Sequence, residues 1–339
     1  MLQIDFKEHN RKSAEIWKAY HAGNPAKVPI AEKEINAMKH EVIGRPVRIV
    51  SLGFNNRSVE EIACVMEQEG ENGVDLMILP ETWTGTEMEK MDGPAVSMCA
   101  AIAKKHHAYV VCPVYREDEL GKRFNTAILF DREGNPVFSY DKNYPYWSEF
   151  DLRPPCEPGQ ETGVYETDFG KIGIQICFDV NFPGVWDKLA AEGAELVVWP
   201  SAYSAGTSLM AHAINHHYYI VSSTLIGDCS VFDITGQEIL HEKDESINIS
   251  RITLDFDRCI FHENFNEEKK DRMLMEHAGD VVQEFHLERE QWFVMKANTP
   301  EISVRKLAAA YRMEELRAYV RRSAREIDRK KGKGNMASC

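Results

Sequence analysis

Three side chains with the chemistry of a nucleophile, a base and a cation each follow a separate strand-like segment. Cys177 closes the run 171–177, in which isoleucines alternate with other residues as in a strand. Glu81 follows the apolar run 75–79 and a proline, and Lys142 follows a third apolar run and its turn. Catalytic groups in layered α/β folds gather at the ends of strands. The pattern therefore predicts that a thiol, a carboxylate and an ammonium meet in one site.

The residues after Cys177 read as a helix, because Pro183 suits a first turn and Gly193 suits the end of a helix. A cysteine between a strand and a helix is expected to lie near backbone N–H groups that favour a thiolate and an oxyanion. The alternative for this segment alone is a buried cysteine without chemistry, which is the common fate of the residue type.

The loop that contains Lys142 carries a second candidate carboxylate. Glu149 follows seven residues later, and Tyr144, Tyr146 and Trp147 lie between the two charged residues. Charged loop residues are usually solvated, so the meaning of this loop depends on the other two segments.

Taken together, these segments resemble the nitrilase superfamily of carbon–nitrogen hydrolases. The resemblance rests on Glu81 in Leu-Pro-Glu-Thr, Lys142 in Tyr-Asp-Lys, and Cys177 in Ile-Cys-Phe-Asp followed by Asn-Phe-Pro. It covers roughly residues 45 to 257. Three further segments look like the family's first strand, the strand after the cysteine helix and a late hairpin, namely 47–53, 195–202 and 227–236.

The resemblance implies a four-layer α-β-β-α sandwich and hydrolysis through a thioester. In that scheme Cys177 attacks as the thiolate, and Glu81 moves protons to and from the thiol, the leaving nitrogen and water. Lys142 and the Phe178 N–H would stabilise the negative oxygen. Glu149 is the best match to a second family glutamate, which would orient Lys142 or the substrate. The alternative for Glu149 is a surface ion pair.

The residues after the nucleophile favour amide or N-carbamoyl substrates over nitriles. Phe178 and Asp179 stand where true nitrilases generally have Trp and Glu. Carbamoylases for N-carbamoyl D-amino acids carry arginines in the next stretch, whereas residues 180–182 here cannot pair with a carboxylate as arginine does. We therefore expect a neutral or cationic substrate, unless an arginine such as Arg153 reaches the site.

Substrate contacts are expected from aromatic and polar residues close to the three catalytic segments. The alternative for the aromatic ones, including Tyr146, is that they pack the layers together. The predicted substrate-binding residues are Trp83, Tyr144, Trp147, Phe178, Asn181, Phe182 and Ser201.

The helix after the Trp-Pro-Ser strand departs from the family pattern. His212 and Asn215 stand where relatives usually have Arg and Glu, residues that brace the catalytic loop or a dimer contact. His212 and His216 share a helix face and are spaced for a metal, but the chemistry needs none. Histidines packed and hydrogen-bonded at a helix interface are the preferred interpretation, and no metal or cofactor is predicted.

Two other functions stay open at this point. A nitrile-hydrolysing nitrilase is the rival within the superfamily. A catalytically silent relative that binds a metabolite or a protein partner is the alternative of another class. The Glu81, Lys142 and Cys177 set argues against the silent relative, and the changed residues His212 and Asn215 keep it open.

Composition agrees with a small-molecule enzyme. The chain has 339 residues, of which 43% are hydrophobic, and a net charge of −14, which argues against binding to nucleic acid or anionic membranes. The eight cysteines show no zinc spacing and no secreted disulfide pattern. A catalytic thiol needs reducing surroundings, so a cytoplasmic location is expected. The N-terminus lacks the features of a signal peptide, and no run is long enough to span a membrane.

Three regions follow from these patterns. Residues 1–44 are predicted as a helical N-terminal extension, 45–258 as the carbon–nitrogen hydrolase domain, and 259–339 as a helical C-terminal extension in subunit contacts with a basic, disordered tail. Within the domain, Ser58 and Glu61 form a capping-box pattern at the start of a helix. The resemblance also implies a homodimer or a higher homo-oligomer.

Overall fold

The computed structural model describes residues 43–332. Nearly all of the predicted N-terminal extension, and the basic tail after Lys333, lie outside the described residues. No helix in residues 43–332 is long and apolar enough to cross a membrane.

Sixteen strands, seven α-helices and two 3₁₀ helices make up this part of the chain. The strands are β1 (Pro46–Phe54), β2 (Leu76–Ile78), β3 (Met88–Glu89), β4 (Tyr109–Glu117), β5 (Arg123–Phe130), β6 (Pro136–Asp141), β7 (Val164–Glu166), β8 (Lys171–Ile174), β9 (Leu196–Ser201), β10 (Tyr219–Thr224), β11 (Asp228–Phe232), β12 (Glu238–Lys243), β13 (Ile247–Asp255), β14 (Cys259–His262), β15 (Val281–Leu287) and β16 (Trp292–Ala297).

The helices divide between the two halves of the domain and the C-terminal extension. The α-helices are α1 (Val59–Gly70), α2 (Pro94–His106), α3 (Pro183–Glu192), α4 (Gly206–His216), α5 (Glu267–Glu276), α6 (Val304–Ala310) and α7 (Leu316–Lys330), and the 3₁₀ helices are η1 (Trp147–Asp151) and η2 (Cys177–Asn181).

Two sheets face each other at the centre of the domain. The first sheet has the order β13-β1-β2-β4-β5-β6, with β3 paired to β4, and the second has the order β12-β11-β10-β9-β8-β7. One hydrophobic cluster lies between the sheets, a second joins the first sheet to α1 and α2, and a third joins the second sheet to α3 and α4. The predicted four-layer α-β-β-α sandwich is therefore confirmed.

The sequence of the central strands explains this layering. In β1, Val47 and Ile49 belong to the cluster between the sheets, whereas Val50 and Leu52 belong to the cluster under the helices. Successive side chains of a strand point to opposite faces, and both faces of this sheet are covered. Strands buried on both faces are nearly continuous apolar runs, as in β2 and in β9 up to Pro200, whereas Arg48 and Ser51 interrupt the run in β1.

This arrangement gathers the predicted catalytic segments at one end of the sandwich. In the first sheet β1, β2 and β4 run parallel, and in the second β8, β9 and β10 run parallel. Glu81 follows the carboxyl end of β2, Cys177 follows that of β8, and Lys142 directly follows β6. Carboxyl ends of parallel strands are where α/β folds hold their ligands.

The C-terminal extension differs from the helical segment that we predicted. Alongside α5, α6 and α7 it contains a three-stranded antiparallel sheet of order β14-β16-β15. Residues 281–287 and 292–297 are rich in Val, Phe and Trp around a short polar turn, which is the pattern of a hairpin. Their apolar side chains pack with Met273 of α5 and Val304 of α6 in a fourth cluster.

The predicted capping box at the start of α1 is present, and it gives a test of this element. The Ser58 hydroxyl accepts from the Glu61 N–H at 3.2 Å, and the Glu61 carboxylate accepts from the Ser58 N–H at 3.0 Å. Ser58→Ala should lower the free energy of unfolding by ~1 kcal/mol, since it leaves the Glu61 N–H in the first turn of the helix without its partner. Urea denaturation measures the loss, with the exposed Ser208→Ala as control. An equal loss in both variants would contradict the capping role.

Candidate active site

A buried lysine lies between two buried glutamates at the centre of the site. The Nζ atom of Lys142 is 2.7 Å from Oε1 of Glu81 and 2.6 Å from Oε2 of Glu149. All three side chains are at least 94% shielded from solvent. An ion pair this deep is far stronger than one in water, and removing one partner leaves an uncompensated buried charge.

Asn125 joins the two glutamates by donating to both of them. Its Nδ2 atom donates to Oε1 of Glu81 at 2.8 Å and to Oε1 of Glu149 at 2.7 Å. Glu149 also accepts from the Tyr146 N–H at 2.7 Å and from the Tyr115 hydroxyl at 3.4 Å. Asn125 is not among the site residues that we predicted from the sequence. A buried amide side chain needs hydrogen-bond partners, but Arg123 and Thr126 make the same strand polar at other positions, so the sequence carries no signal specific to Asn125.

One oxygen of Glu81 is left for chemistry. Oε2 of Glu81 is buried and has no hydrogen-bond partner among residues 43–332, whereas Oε1 is held by Lys142 and Asn125. A buried acceptor without a partner costs free energy and is usually retained for a reason. This oxygen is therefore the one available to take up a proton.

Cys177 opens η2 with a positive φ of 48°, a conformation that non-glycine residues rarely adopt. Burial, followed by the negative charge of Glu81, raises the pKa of its thiol. The ammonium of Lys142 and hydrogen bonds from the Ala202 backbone and the Ser201 side chain oppose that rise. The thiol thus rests protonated, and the groups that favour the thiolate already surround it. We expected donors from the following helix, but these two come from the end of β9.

Lys142 keeps its proton in this environment. Burial by itself would lower the pKa of its ammonium, but the negative charges of Glu81 and Glu149 and the hydrogen bond to Glu149 outweigh burial and raise the pKa well above the ordinary value. The site therefore holds a permanent positive charge next to the nucleophile.

Three side-chain N–H groups hold the backbone of the nucleophile turn. Each donates to a carbonyl of η2: Trp199 Nε1 to Cys177 at 3.2 Å, Trp186 Nε1 to Asp179 at 2.9 Å and His212 Nε2 to Val180 at 2.8 Å. The donors come from β9, α3 and α4, so the second sheet and its helical layer together fix the strained conformation at Cys177.

His212 is packed and hydrogen-bonded, as the preferred interpretation of the sequence had it. Its ring stacks on Trp186 at 4.1 Å, and burial lowers the pKa of the imidazole. Because the Val180 carbonyl is an acceptor only, Nε2 must carry the proton. No group of three metal-ligating side chains exists in residues 43–332. Asn215, the second departure from the family pattern, is exposed.

Asp179 ties the nucleophile turn to the loop that carries Lys142. Its fully buried carboxyl group accepts from the Ile176 N–H at 2.9 Å, the Tyr140 hydroxyl at 2.8 Å and the Tyr144 N–H at 3.0 Å. Burial raises the pKa of this carboxyl group to about 7. Residues 140–144 and 176–179 are thus cross-linked through one side chain.

Two of the predicted substrate-binding residues lie in direct contact, and a third lies against them. Tyr144 and Phe182 are stacked with ring centroids 3.6 Å apart, and Phe178 meets Phe182 edge-on at 5.5 Å. Trp147 is 75% exposed and packs on Phe150 at 6.1 Å.

The remaining predicted residues are engaged within the protein. Trp83 is 3% exposed and packs edge-on against Phe54 in the cluster under the helices. Asn181 donates to the Phe178 carbonyl at 3.1 Å, and the Ser201 hydroxyl accepts from a neighbouring backbone N–H. Arg153 is exposed and donates to carbonyls of its own loop.

Comparison with known proteins identifies the family of this chain. Residues 55–260 match the family model described as carbon-nitrogen hydrolase, so the chain belongs to the carbon–nitrogen hydrolase family. An omega-amidase from Xenopus laevis is 23% identical over 184 residues, which cover 48% of this chain and 67% of that protein. A beta-ureidopropionase from Arabidopsis thaliana is 29% identical over 160 residues, which cover 42% of this chain and 39% of that protein.

Solved structures share the fold at low sequence identity. Nit3 from Saccharomyces cerevisiae, a member of branch 10 of the nitrilase superfamily, has a TM-score of 0.54 and 18% identity over 67% of this chain and 95% of that chain. An amidase from Nesterenkonia has a TM-score of 0.54 and 20% identity over 63% of this chain and 93% of that chain. The protein is therefore a nitrilase-superfamily carbon–nitrogen hydrolase in fold and family.

The buried charge cluster predicts a large stability cost for losing the lysine. Lys142→Met leaves two carboxylates buried without a counter-ion and should lower the free energy of unfolding by ~3–5 kcal/mol at neutral pH. Acid neutralises the carboxylates, so the cost should shrink as the pH falls. Urea titrations at several pH values measure both effects. The exposed Lys122→Met is the control, because its pair with Glu157 at 3.9 Å is at the surface. A small, pH-independent loss would contradict the cluster.

The hydrogen bond from His212 gives a separate prediction. His212→Phe keeps a ring on Trp186 but leaves the Val180 carbonyl without its donor, which should cost ~1–3 kcal/mol of unfolding free energy. His212→Gln returns an N–H group to this position and should recover part of the loss. Urea denaturation of both variants tests this, and a Gln variant no more stable than the Phe variant would argue against the hydrogen bond.

Proposed function

We propose that this protein hydrolyses a non-peptide carbon–nitrogen bond, in an amide or an N-carbamoyl compound, through a thioester on Cys177. The observation that carries the proposal is the buried Glu81–Lys142–Glu149 cluster beside a strained, buried cysteine at the carboxyl end of a strand. An amide carbonyl is a poor electrophile, so its cleavage needs a strong nucleophile, a proton carrier and a fixed charge. Cys177 is the nucleophile, Glu81 carries the proton and Lys142 provides the fixed charge.

In the first half of the reaction the thiol of Cys177 transfers its proton to Glu81 as the sulfur attacks the carbonyl carbon. The carbonyl oxygen becomes negative, and the ammonium of Lys142 and the N–H of Phe178 stabilise it. The Phe178 N–H lies in the first turn of η2, where N–H groups have no partner within the helix. The intermediate then collapses, the carbon–nitrogen bond breaks, and Glu81 returns the proton to the departing nitrogen.

In the second half a water molecule replaces the leaving group. Glu81 removes a proton from water, the hydroxide attacks the thioester, and collapse of the second intermediate breaks the carbon–sulfur bond. The proton returns to Cys177, and the acid product leaves. Glu81 carries each proton, which fits the oxygen of its carboxylate that has no other partner.

Glu149 acts through Lys142 in this scheme. Glu149 accepts a hydrogen bond from Nζ of Lys142, and Asn125 donates to both glutamates. The ammonium is therefore held between two carboxylates and keeps its position when Glu81 takes up a proton. A positively charged group held in place before reaction needs no reorganisation when the oxyanion forms.

Support for cysteine chemistry on amides also comes from the relatives. In a glutamate-to-glutamine mutant of the Nesterenkonia amidase, acrylamide is attached to the active-site cysteine by Michael addition, which shows that this thiol is nucleophilic in that protein. Omega-amidases and a beta-ureidopropionase are among the similar proteins. Phe178 and Asp179 follow the nucleophile here, and this departure from true nitrilases favours amide or carbamoyl cleavage over nitrile hydrolysis.

We also propose that the protein works in a reducing compartment such as the cytoplasm. The seven cysteines in residues 43–332 are unpaired, which suits a catalytic thiol.

We further propose a homodimer that forms through the outer helical layer. Met210 on the outer helix α4 is 42% exposed and offers an apolar contact. Sedimentation velocity gives the mass in solution.

Ammonia release from a panel of amides, N-carbamoyl amines and nitriles tests the catalytic proposal. Cys177→Ala should lower kcat by at least ~1000-fold and Glu81→Gln by ~100-fold or more. Glu149→Gln should lose less, since it acts through another residue. The exposed variants Cys64→Ala and Glu119→Gln should keep wild-type rates.

Two results would overturn the proposal. Activity retained in Cys177→Ala would exclude the thioester route. A wild-type protein silent on the whole panel, with Cys177 no more reactive to iodoacetamide than Cys64, would favour the binding protein instead.

A further inference from the structure

Several aromatic side chains lie next to the turn that carries the nucleophile. None of these side chains takes part in the proposed reaction steps. We name this group the aromatic rim. It consists of Tyr144, Tyr146, Trp147, Phe178, Phe182 and Tyr203.

The rim connects the loop of Lys142 to the turn of Cys177. The stacked pair of Tyr144 and Phe182 spans the two segments at 3.6 Å, and Tyr146 meets Phe178 edge-on at 5.3 Å. Tyr203 follows β9 and packs edge-on against Trp199, which holds the Cys177 carbonyl. Aromatic side chains from three segments thus flank the nucleophile.

Much of this apolar surface is open to solvent. Tyr144 is 38% exposed, Tyr146 is 50% exposed and Trp147 is 75% exposed. Contiguous exposed apolar patches on folded domains mark ligand grooves or interaction sites. Because Tyr144 contacts Phe182 and Tyr146 contacts Phe178, this exposed surface adjoins the catalytic turn, and a ligand of the catalytic site is the occupant that fits.

The basic side chains on the same strands and loop are already engaged. Lys142 is held by two carboxylates, and Arg116 donates to both oxygens of Asp141 at 3.0 and 3.1 Å. Arg123 donates to two backbone carbonyls, and so does Arg153. A substrate carboxylate would have to break one of these bonds to gain a partner.

The fixed charges of the catalytic cluster also oppose an anion. Two carboxylates, Glu81 and Glu149, surround the single ammonium of Lys142, which leaves a net negative charge. A second negative charge brought into a site of low dielectric constant is repelled, and a buried carboxylate without a partner is costly.

From the rim and these charges we infer that the acyl group of the substrate is uncharged and apolar, with an aromatic ring as the best fit. The inference rests on the proposed hydrolase function. An aromatic ring gains offset-stacked or edge-to-face contacts with Tyr144, Phe178 and Phe182. An anionic acyl group of the same length gains neither a stacking contact nor an ion pair.

Four amides of similar length separate the possibilities. They are 3-phenylpropanamide, pentanamide, the cation 5-aminopentanamide and the anion glutaramate. We expect kcat/KM to be highest for 3-phenylpropanamide and at least ~100-fold lower for glutaramate, because a missing partner for a charged group discriminates strongly. A preference for glutaramate, or for 5-aminopentanamide over both neutral amides, would overturn the inference.

A variant in the rim tests whether these side chains cause the preference. Phe182→Ala should lower kcat/KM for 3-phenylpropanamide by ~10-fold more than it lowers kcat/KM for acetamide, since acetamide is too small to reach the rim. Phe265→Ala is the matched control, because Phe265 is 75% exposed and lies in the C-terminal extension. Equal losses on both amides, or a change of oligomeric state without a change of preference, would overturn the assignment to the substrate.

Binding to Cys177→Ala separates this inference from the hydrolase proposal. Titration calorimetry should show 3-phenylpropanamide bound at least ~10-fold more tightly than glutaramate, whether or not the wild type turns either over. Tighter binding of the phenyl amide without turnover would support the rim and refute the hydrolase. Turnover together with tighter binding of glutaramate would support the hydrolase proposal and refute the preference assigned to the rim.

Discussion

The burial of one ammonium between two carboxylates is the constraint on which the rest of the site depends. The buried ammonium of Lys142 is separated from water, and the carboxylates of Glu81 and Glu149 offset that cost, so both must be held within 3 Å of its Nζ atom. Asn125 occupies a third side of the cluster and leaves one oxygen of Glu81 without a partner. The same geometry that makes the buried charges tolerable therefore also sets the base and the cation beside the nucleophile.

The nucleophile depends on the second half of the sandwich. Cys177 adopts a positive φ, and three donors from β9, α3 and α4 hold the carbonyls of its turn. Asp179 joins this turn to the loop of Lys142. His212 belongs to this support, which gives a structural reason for a histidine at this position. The two sheets thus contribute different parts of the chemistry, and their packing brings those parts together.

Much of the fold could be predicted from local patterns. The strand before Cys177, the helix from Pro183 and the capping box at Ser58 are in the structure, because apolar alternation and helix-end residues act over a few neighbours. The four-layer architecture is also present, but it was predicted from the family resemblance and not from these local patterns. The hairpin of the C-terminal extension was missed, although residues 281–297 carry its pattern. Asn125 was missed for another reason: a strand residue shows its partners only after the strands are assembled.

The amino-acid sequence alone is enough to identify the thiol, carboxylate and ammonium that form the site, their order along the chain and the family to which the chain belongs. It did not determine which of the aromatic residues are open to solvent or which arginines are free. Trp83 and Trp147 read alike in sequence, yet one is buried against Phe54 and the other is exposed. The exposure of each aromatic side chain and the partners of each arginine follow from the assembled fold, because burial and the pairing of charges depend on contacts between segments far apart in the chain.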